Sequence, residues 1–391
     1  MNKYLLLFFS IAILVGCESS KDDNNASQND GYFSSVSKQA IVADITLNTD
    51  DLPNVLMQLG FRAINHVLFA DECGNWITLV SNSFYLQNPN IDGLIRIGGI
   101  VEELFISSNP PIEDISFLEN LTQLKLLRID WHSRINNFEP LKYLKNLESL
   151  ILFDIINDFD VFLYLDNLRR LSMDNMLNDQ IPSDQIIDIS PIKNLNNLNF
   201  LHFRSQSNFV NRESIFELSS LEELRLYLCE YDFDISNISY LHNLKDLILF
   251  SPAVIDMARV GSLQNLRKAS INASGFTNLY NFNIHTLEEL SIGTTSPMME
   301  KIDSEIDLGE LLNLPNLRKL SIENFNVTNV RRLLEMANLE EVRFLGTLFD
   351  PMDILESETI KTIYVNDVDF NNFPTEIFRD RGISVRSSFT G

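Results

Sequence analysis

A solenoid with a parallel β-sheet along one face is the fold class that this sequence predicts, on three observations. The stretch Leu121-Thr-Gln-Leu-Lys-Leu-Leu-Arg-Ile129 carries apolar residues in the order LxxLxxLxI. The same order returns at 144–152, 165–173, 195–203, 218–226, 241–249, 263–271, 284–292, 314–322 and 336–344, with a partial copy at 101–106 and a degenerate one at 360–365. Taking the apolar residue two before each block's end as an anchor puts anchors at 104, 127, 150, 171, 201, 224, 247, 269, 290, 320, 342 and 363, in steps of 21 to 23 with two steps of 30.

Each element follows from that pattern. The closing LxL has period two, so its apolar residues point inward and the residue between them points out, as on a strand. The earlier leucines are spaced by three, as on a tight turn or short helix. One such unit cannot bury its own apolar side. About twelve stacked in register bury a continuous core, each touching only its neighbours. Twelve strands at the usual spacing make a sheet about 53 Å long. Period and residue pattern together are those of leucine-rich repeats.

Five segments result: 1–16, 17–38, 39–98, the repeats over 99–370, and 371–391. Residues 39–98 leave the repeat. Thr49 to Gly60 reads as a short helix, with Asp50 or Asp51 to cap it, Pro53 in its first turn and Gly60 to end it. Apolar runs at 66–69, 76–80, 84–86 and 94–97 follow, with turns at 71–75 and 87–90. Such a region serves as an N-terminal cap, because the first strand of a solenoid has an open edge. Residues 371–391 contain a worn last repeat, with Ile383 and Val385 as its strand, and cap the other end.

At the start, Lys3 precedes the apolar run Tyr4 to Val15, which is short for a membrane span and suits a secretion signal. It ends in Leu14-Val-Gly-Cys17, which resembles the lipobox of bacterial lipoproteins at every position. The resemblance implies that Cys17 is acylated and becomes the mature N-terminus, tying the protein to a membrane. Residues 18–38 are a polar tether. Within it Lys21-Asp22-Asp23 resembles the export signal of surface-exposed lipoproteins in some Gram-negative bacteria. Outer-membrane location, facing the cell exterior, is the corresponding expectation.

Removal of 1–16 takes away one lysine and no acid. The mature chain then has 29 Lys+Arg against 54 Asp+Glu, and 29 − 54 gives −25. That charge disfavours nucleic acid and anionic membrane surfaces as partners. Beyond Cys17 only Cys73 and Cys229 remain. Repeat geometry sets them on the order of 25 Å apart, too far for a disulfide.

The segments Asp114-Ile-Ser-Phe-Leu118, Asp188-Ile-Ser-Pro-Ile192 and Asp234-Ile-Ser-Asn-Ile238 resemble an element of internalin-type leucine-rich repeats. This likeness covers about residues 99 to 370. It implies a right-handed horseshoe with parallel strands on the concave face and short 3₁₀ or α turns on the convex one. The family's asparagine, three residues after the LxL, is retained here only at Asn109. Among the replacements, Ser274 and Thr347 can still bond a backbone group, whereas the loops with Pro252 and Phe325 must find different partners or water.

No enzyme constellation is present: no GxSxG, HExxH, CxxC, phosphate loop or dinucleotide motif. The five histidines have no zinc-ligand spacing. Neither an enzyme nor a cofactor site is therefore expected.

What remains is the concave face, whose outward positions are the x of each LxL and the residue just after the LxL. Repeats two to seven place there Arg128, Asp130, Ile151, Phe153, Ser172, Asp174, His202, Arg204, Arg225, Tyr227, Ile248 and Phe250. Aromatic and arginine side chains of this kind dominate binding hot spots. Arg128, Asp130, Phe153, His202, Arg204, Arg225, Tyr227, Ile248 and Phe250 are the candidate contacts for a protein or glycan partner. Repeats eight to ten offer Ser270, Ser291 and Ser321 instead, groups expected to add little. The alternative function is structural: docking an outer-membrane complex. Two long loops, at 178–186 and 294–306, sit beside the face.

Overall fold

The computed structural model describes residues 101–109, 113–129, 135–153, 156–174, 186–204, 209–228, 233–294, 305–347, 349–366, 370–371 and 373–387, preceded by strands at 40–47, 62–63, 68–70, 76–80 and 83–87. Cys17 with its signal and tether, Cys73, Cys229, Asp130, the helix expected at 49–60, the run at 94–97 and most of both long loops lie outside the described residues.

Thirteen strands form the parallel sheet. They run from Val101–Asn109 in the first repeat to Thr362–Val365 in the twelfth, and end with Ser384–Ser387. Every anchor pairs with the next one: Leu104, Leu127, Leu150, Leu171, Leu201, Leu224, Leu247, Ala269, Leu290, Leu320, Val342 and Ile363 stand in one row, with Val385 as the thirteenth member. The twelve from Leu104 to Ile363 are buried, as are their partners two residues on, such as Ile129, Leu226 and Ile322. The fold is a leucine-rich repeat solenoid.

The leucines spaced by three sit on 3₁₀ turns. Leu118 N–H donates to the Ile115 carbonyl, Leu121 N–H to Leu118 and Leu124 N–H to Leu121. Side chains three apart are eclipsed in a 3₁₀ helix, so all four point into the core. The same chain of bonds links Phe138, Leu141, Leu144 and Leu147, and again Ile235, Ile238, Leu241 and Leu244. In a repeat of 21 to 23 residues a 3₁₀ segment covers the convex side with few residues per turn.

The side chains that start these turns explain the Asp-Ile-Ser segments. Asp114, Asp188 and Asp234 each accept, through Oδ1, from the amide two residues on, at Ser116, Ser190 and Ser236, all at 2.8 Å. Asp158, Asp256, Asp307 and Asp350 do the same. Hydrogen bonds from the Asn211 amide and then from Ser190 hold the Asp188 carboxyl below its ordinary range. Asp234 is lowered chiefly by the Ser236 amide.

Backbone groups on the other turn are met by a second ladder, which the sequence analysis did not name. It lies just before the second leucine of the blocks, not three residues after the LxL. Asn146 donates to the Thr122 carbonyl at 2.9 Å, Asn167 to Lys145 at 2.8 Å, Asn197 to Asp166 at 2.8 Å and Asn243 to Ser219 at 2.9 Å. Asn265, Asn316 and Asn338 continue it to the carbonyls of His242, His285 and Pro315. Ser220 and Thr286 fill two rungs with hydroxyls. Each rung ties one repeat to the one before. Of the replacements named at the other position, Thr347 does bond a neighbour, its hydroxyl reaching the Ile322 carbonyl at 3.3 Å, while Phe325 is simply buried.

The first repeat is covered by antiparallel strands. Ala40–Leu47 pairs along Val101–Asn109, Ser83–Gln87 pairs with Ala40–Leu47, and Trp76–Val80, Leu68–Ala70 and Arg62–Ala63 follow outward. At the far end a short helix, Thr375–Asp380, buries Phe378 and leads into the last strand.

Candidate functional site

A five-residue strand presents three outward positions, not two. In the fifth repeat these are Phe200, His202 and Arg204, with Leu201 and Phe203 buried between them. The outward column before the anchor was absent from the sequence-based reading; it contains Arg170, Phe200, Glu223, Asp246, Lys268, Glu289, Lys319 and Glu341. Extending the period of two by one residue would have found it.

Parallel in-register pairing sets like positions side by side, so these columns pack along the solenoid. Tyr227 lies flat on Phe250, with ring centroids 4.8 Å apart and planes at 12°. The Arg204 guanidinium sits 5.0 Å from the Tyr227 ring and its Nε donates to Asp174 Oδ1 at 2.7 Å. Phe200 is held between two cations, Arg170 at 4.0 Å and Arg225 at 5.4 Å. Arg225 also donates to Glu223 Oε1 through Nε and Nη2. Arg128 covers Phe153 at 5.2 Å.

The aromatic side chains expected to stand free are therefore half-buried against one another, and Asp174 is buried. Ile248 is likewise half-buried. Of the nine candidate contacts, the structure brings His202, Arg204, Arg225, Tyr227, Ile248 and Phe250 into one patch across three adjacent strands; Arg128 and Phe153 form a second contact further along.

His202 occupies the middle of the patch. Its ring is 5.2 Å from Tyr227 and its buried Nε2 is 3.7 Å from Asp174 Oδ2, beyond hydrogen-bond reach. Burial lowers its pKa, Asp174 opposes that, and Arg225 and Arg204 reinforce it. The imidazole is consequently held neutral.

Beyond Phe250 the face changes character. Ser270, Ser291 and Ser321 follow Ile248 in the middle column, and their small side chains leave a hollow of about 330 Å³ over Ala269, Leu290 and Leu320. One long edge of the hollow carries Asp246, Lys268, Glu289, Lys319 and Glu341, and Arg343 closes the far end. Glu289 bridges Lys268 at 3.3 Å and Lys319 at 3.1 Å. Burial raises the Glu289 pKa, but the two lysine hydrogen bonds outweigh it, and the net shift is downward. Arg343 stacks over Tyr364 at 4.5 Å. Gly293 matters here: a Cβ on it would lie 2.1 Å from Asn272 Oδ1, so glycine lets that carboxamide lie against the sheet.

Chemically the face offers stacking, cation–π contact and many hydrogen bonds. Among the described residues there is no group of three His, Cys, Asp or Glu side chains that could hold a metal ion.

The protein-family models and the curated protein sequences contain no match to this chain. Solved structures do match. An internalin from Listeria monocytogenes superposes with a TM-score of 0.56 at 21% identity, over 76% of this chain and 83% of its own. A leucine-rich repeat protein from Leptospira interrogans is 20% identical, with a TM-score of 0.47, over 62% of this chain and 60% of that one. At such identities the likeness is one of fold.

Proposed function

We propose that the protein is a non-enzymatic, lipid-anchored surface protein that binds a protein or glycan partner on the concave face of its solenoid. The leucine-rich repeat fold supports a binding scaffold. The observation that carries the reading is the Arg204–Tyr227–Phe250 stack with His202 and Arg225 beside it. These are the residue types in which interface energy concentrates, preordered by their own contacts so that little side-chain freedom is lost on binding. The lipobox at Leu14 to Cys17 supports the anchor, and Lys21-Asp22-Asp23 supports display outside the cell.

Affinity capture tests this. The full chain, displayed on cells, is used to recover bound material, beside the variants Tyr227→Ala, Phe250→Ala and Arg204→Ala. Capture of an external protein or glycan that all three variants weaken supports the proposal. Capture of an outer-membrane complex instead would favour an assembly role. Capture unchanged by every variant would move the site off this patch.

A further inference from the structure

The hollow over repeats eight to ten is a separate feature from the aromatic patch, and its chemistry points to one class of ligand. We propose that it is a binding site for an uncharged saccharide, two to three sugar rings long. The proposal rests on the concave face being the binding face, and it names the ligand class.

Three properties carry it. The first is size: about 330 Å³ falls at the lower end of small-ligand sites, roughly 300–1,000 Å³. The three floor serines span about 10 Å at the usual strand spacing, and Ile248 and Arg343 stand one strand further out at either end.

The second is charge. Asp246, Glu289 and Glu341 face Lys268, Lys319 and Arg343 around the rim, so the lining is neutral by formal count, three against three. The whole chain carries −24. A polyanion is repelled by the molecule, and a polycation finds no excess of acid in the hollow. A neutral ligand meets neither obstacle.

The third is the kind of group on offer. The floor is three hydroxyls on short stems, Ser270, Ser291 and Ser321, with Ile248 at one end. The rim supplies carboxylates that accept and ammonium or guanidinium groups that donate, several already fixed by their neighbours. A polyhydroxylated ring, which both donates and accepts at each position, matches such a lining. Serine, lysine and acidic residues are by contrast depleted where proteins bury one another. Ile248, in the lining, gives an apolar surface to the carbon-bound side of a sugar, and Phe250 lies two residues further along the same strand.

The test uses isothermal titration of the purified full chain with a panel of neutral oligosaccharides: α- and β-glucans, mannan, galactan and xylan fragments. At least one should bind at millimolar concentration or better, with an affinity that salt leaves unchanged. Ser291→Leu and Ser321→Leu, which fill the floor, should each weaken it at least about tenfold. Both point away from the core, and unchanged circular dichroism and melting temperature would show that the fold is retained. Absence of binding across the panel overturns the saccharide proposal. So does a captured protein partner that Tyr227→Ala weakens and Ser291→Leu does not, which would leave the concave binding face intact. Saccharide binding that survives Ser291→Leu, Ser321→Leu and Tyr227→Ala alike would overturn both.

Discussion

At the scale of single residues, the concave patch makes two claims that can be measured apart. If binding energy concentrates in preordered aromatic and arginine groups, then Tyr227→Ala, Phe250→Ala and Arg204→Ala each cost about 1–3 kcal/mol of affinity for the captured partner. Tyr227→Ala and Phe250→Ala should affect folding little beside that, since neither lies in the leucine column; Arg204→Ala also takes that partner from the buried Asp174 carboxylate and should lower stability as well. The second claim concerns His202. Its folded-state pKa lies below the ordinary value near 6.5 because burial disfavours the imidazolium. In the unfolded chain it takes up a proton at higher pH than in the folded one. Stability from the neutral imidazole is therefore fully present above the ordinary pKa and is lost as pH falls through the lowered one. Urea melts from neutral to mildly acidic pH should show this loss in the wild type and a flatter profile in His202→Gln. Equal slopes would mean that the ring is not held neutral. How far these residues were legible in advance follows from their periodicity. Arg204, Tyr227 and Phe250 could be placed outward because the strand alternates. That Asp174 anchors Arg204 depends on a step of 30 residues folding back to adjacent strands, which no local pattern encodes. Phe200 was legible but uncounted. The hollow was not legible, because it exists through what Ser270, Ser291 and Ser321 do not fill.

At the scale of the element, register is the property most directly open to mutation. Leu224 is fully buried in the anchor row and pairs with Leu201 and Leu247. Leu224→Asp puts an unpaired charge into that row and should unfold the repeats around it, seen as early loss of amide protection at 200–250 in hydrogen exchange. The exposed His242, whose carbonyl and not its ring serves the ladder, should tolerate His242→Ala within about 0.5 kcal/mol. Between these extremes lies the ladder itself. Asn243→Asp keeps the shape but removes the donor to the Ser219 carbonyl, and should lower stability by about 1 kcal/mol. An effect as small as that of His242→Ala would show that the rung contributes nothing. The strands and 3₁₀ turns were readable because both periods, two and three, recur in nearly every block. The ladder escaped notice for a different reason. Asn146, Asn167, Asn197, Asn243, Asn265, Asn316 and Asn338 recur as plainly as the leucines, but an asparagine was looked for only after the strand. Which turn needs a side-chain donor depends on how far the neighbouring repeat lies, and this is a property of the stack. The side strands at 187–188, 254–256 and 305–307 likewise depend on the next repeat, whose matching short strand is followed by a left-handed asparagine at 211, 278 or 329. Asn211 and Asn278 reach back to Asp188 and Asp256.

At the scale of the whole molecule, the proposal joins a lipid anchor at one end to a binding face on the solenoid. Among the described residues no helix is long and apolar enough to cross a membrane. In the proposed function, attachment rests on the acyl chains at Cys17. Cys17→Ser should release the protein from membranes even before a high-salt wash, and retention would assign the anchor elsewhere. Protease added to intact cells should digest the solenoid if Lys21-Asp22-Asp23 directs export, whereas protection until the outer membrane is opened would place it on the inner side. The central claim, that the concave face is where a partner sits, is tested most directly by site-specific photo-crosslinking on living cells. A photoreactive residue is placed at position 250 on the concave face or at position 242 on the exposed turn that precedes the same strand. The account predicts a crosslinked product from position 250 and none from position 242. Products from position 242 alone would contradict it.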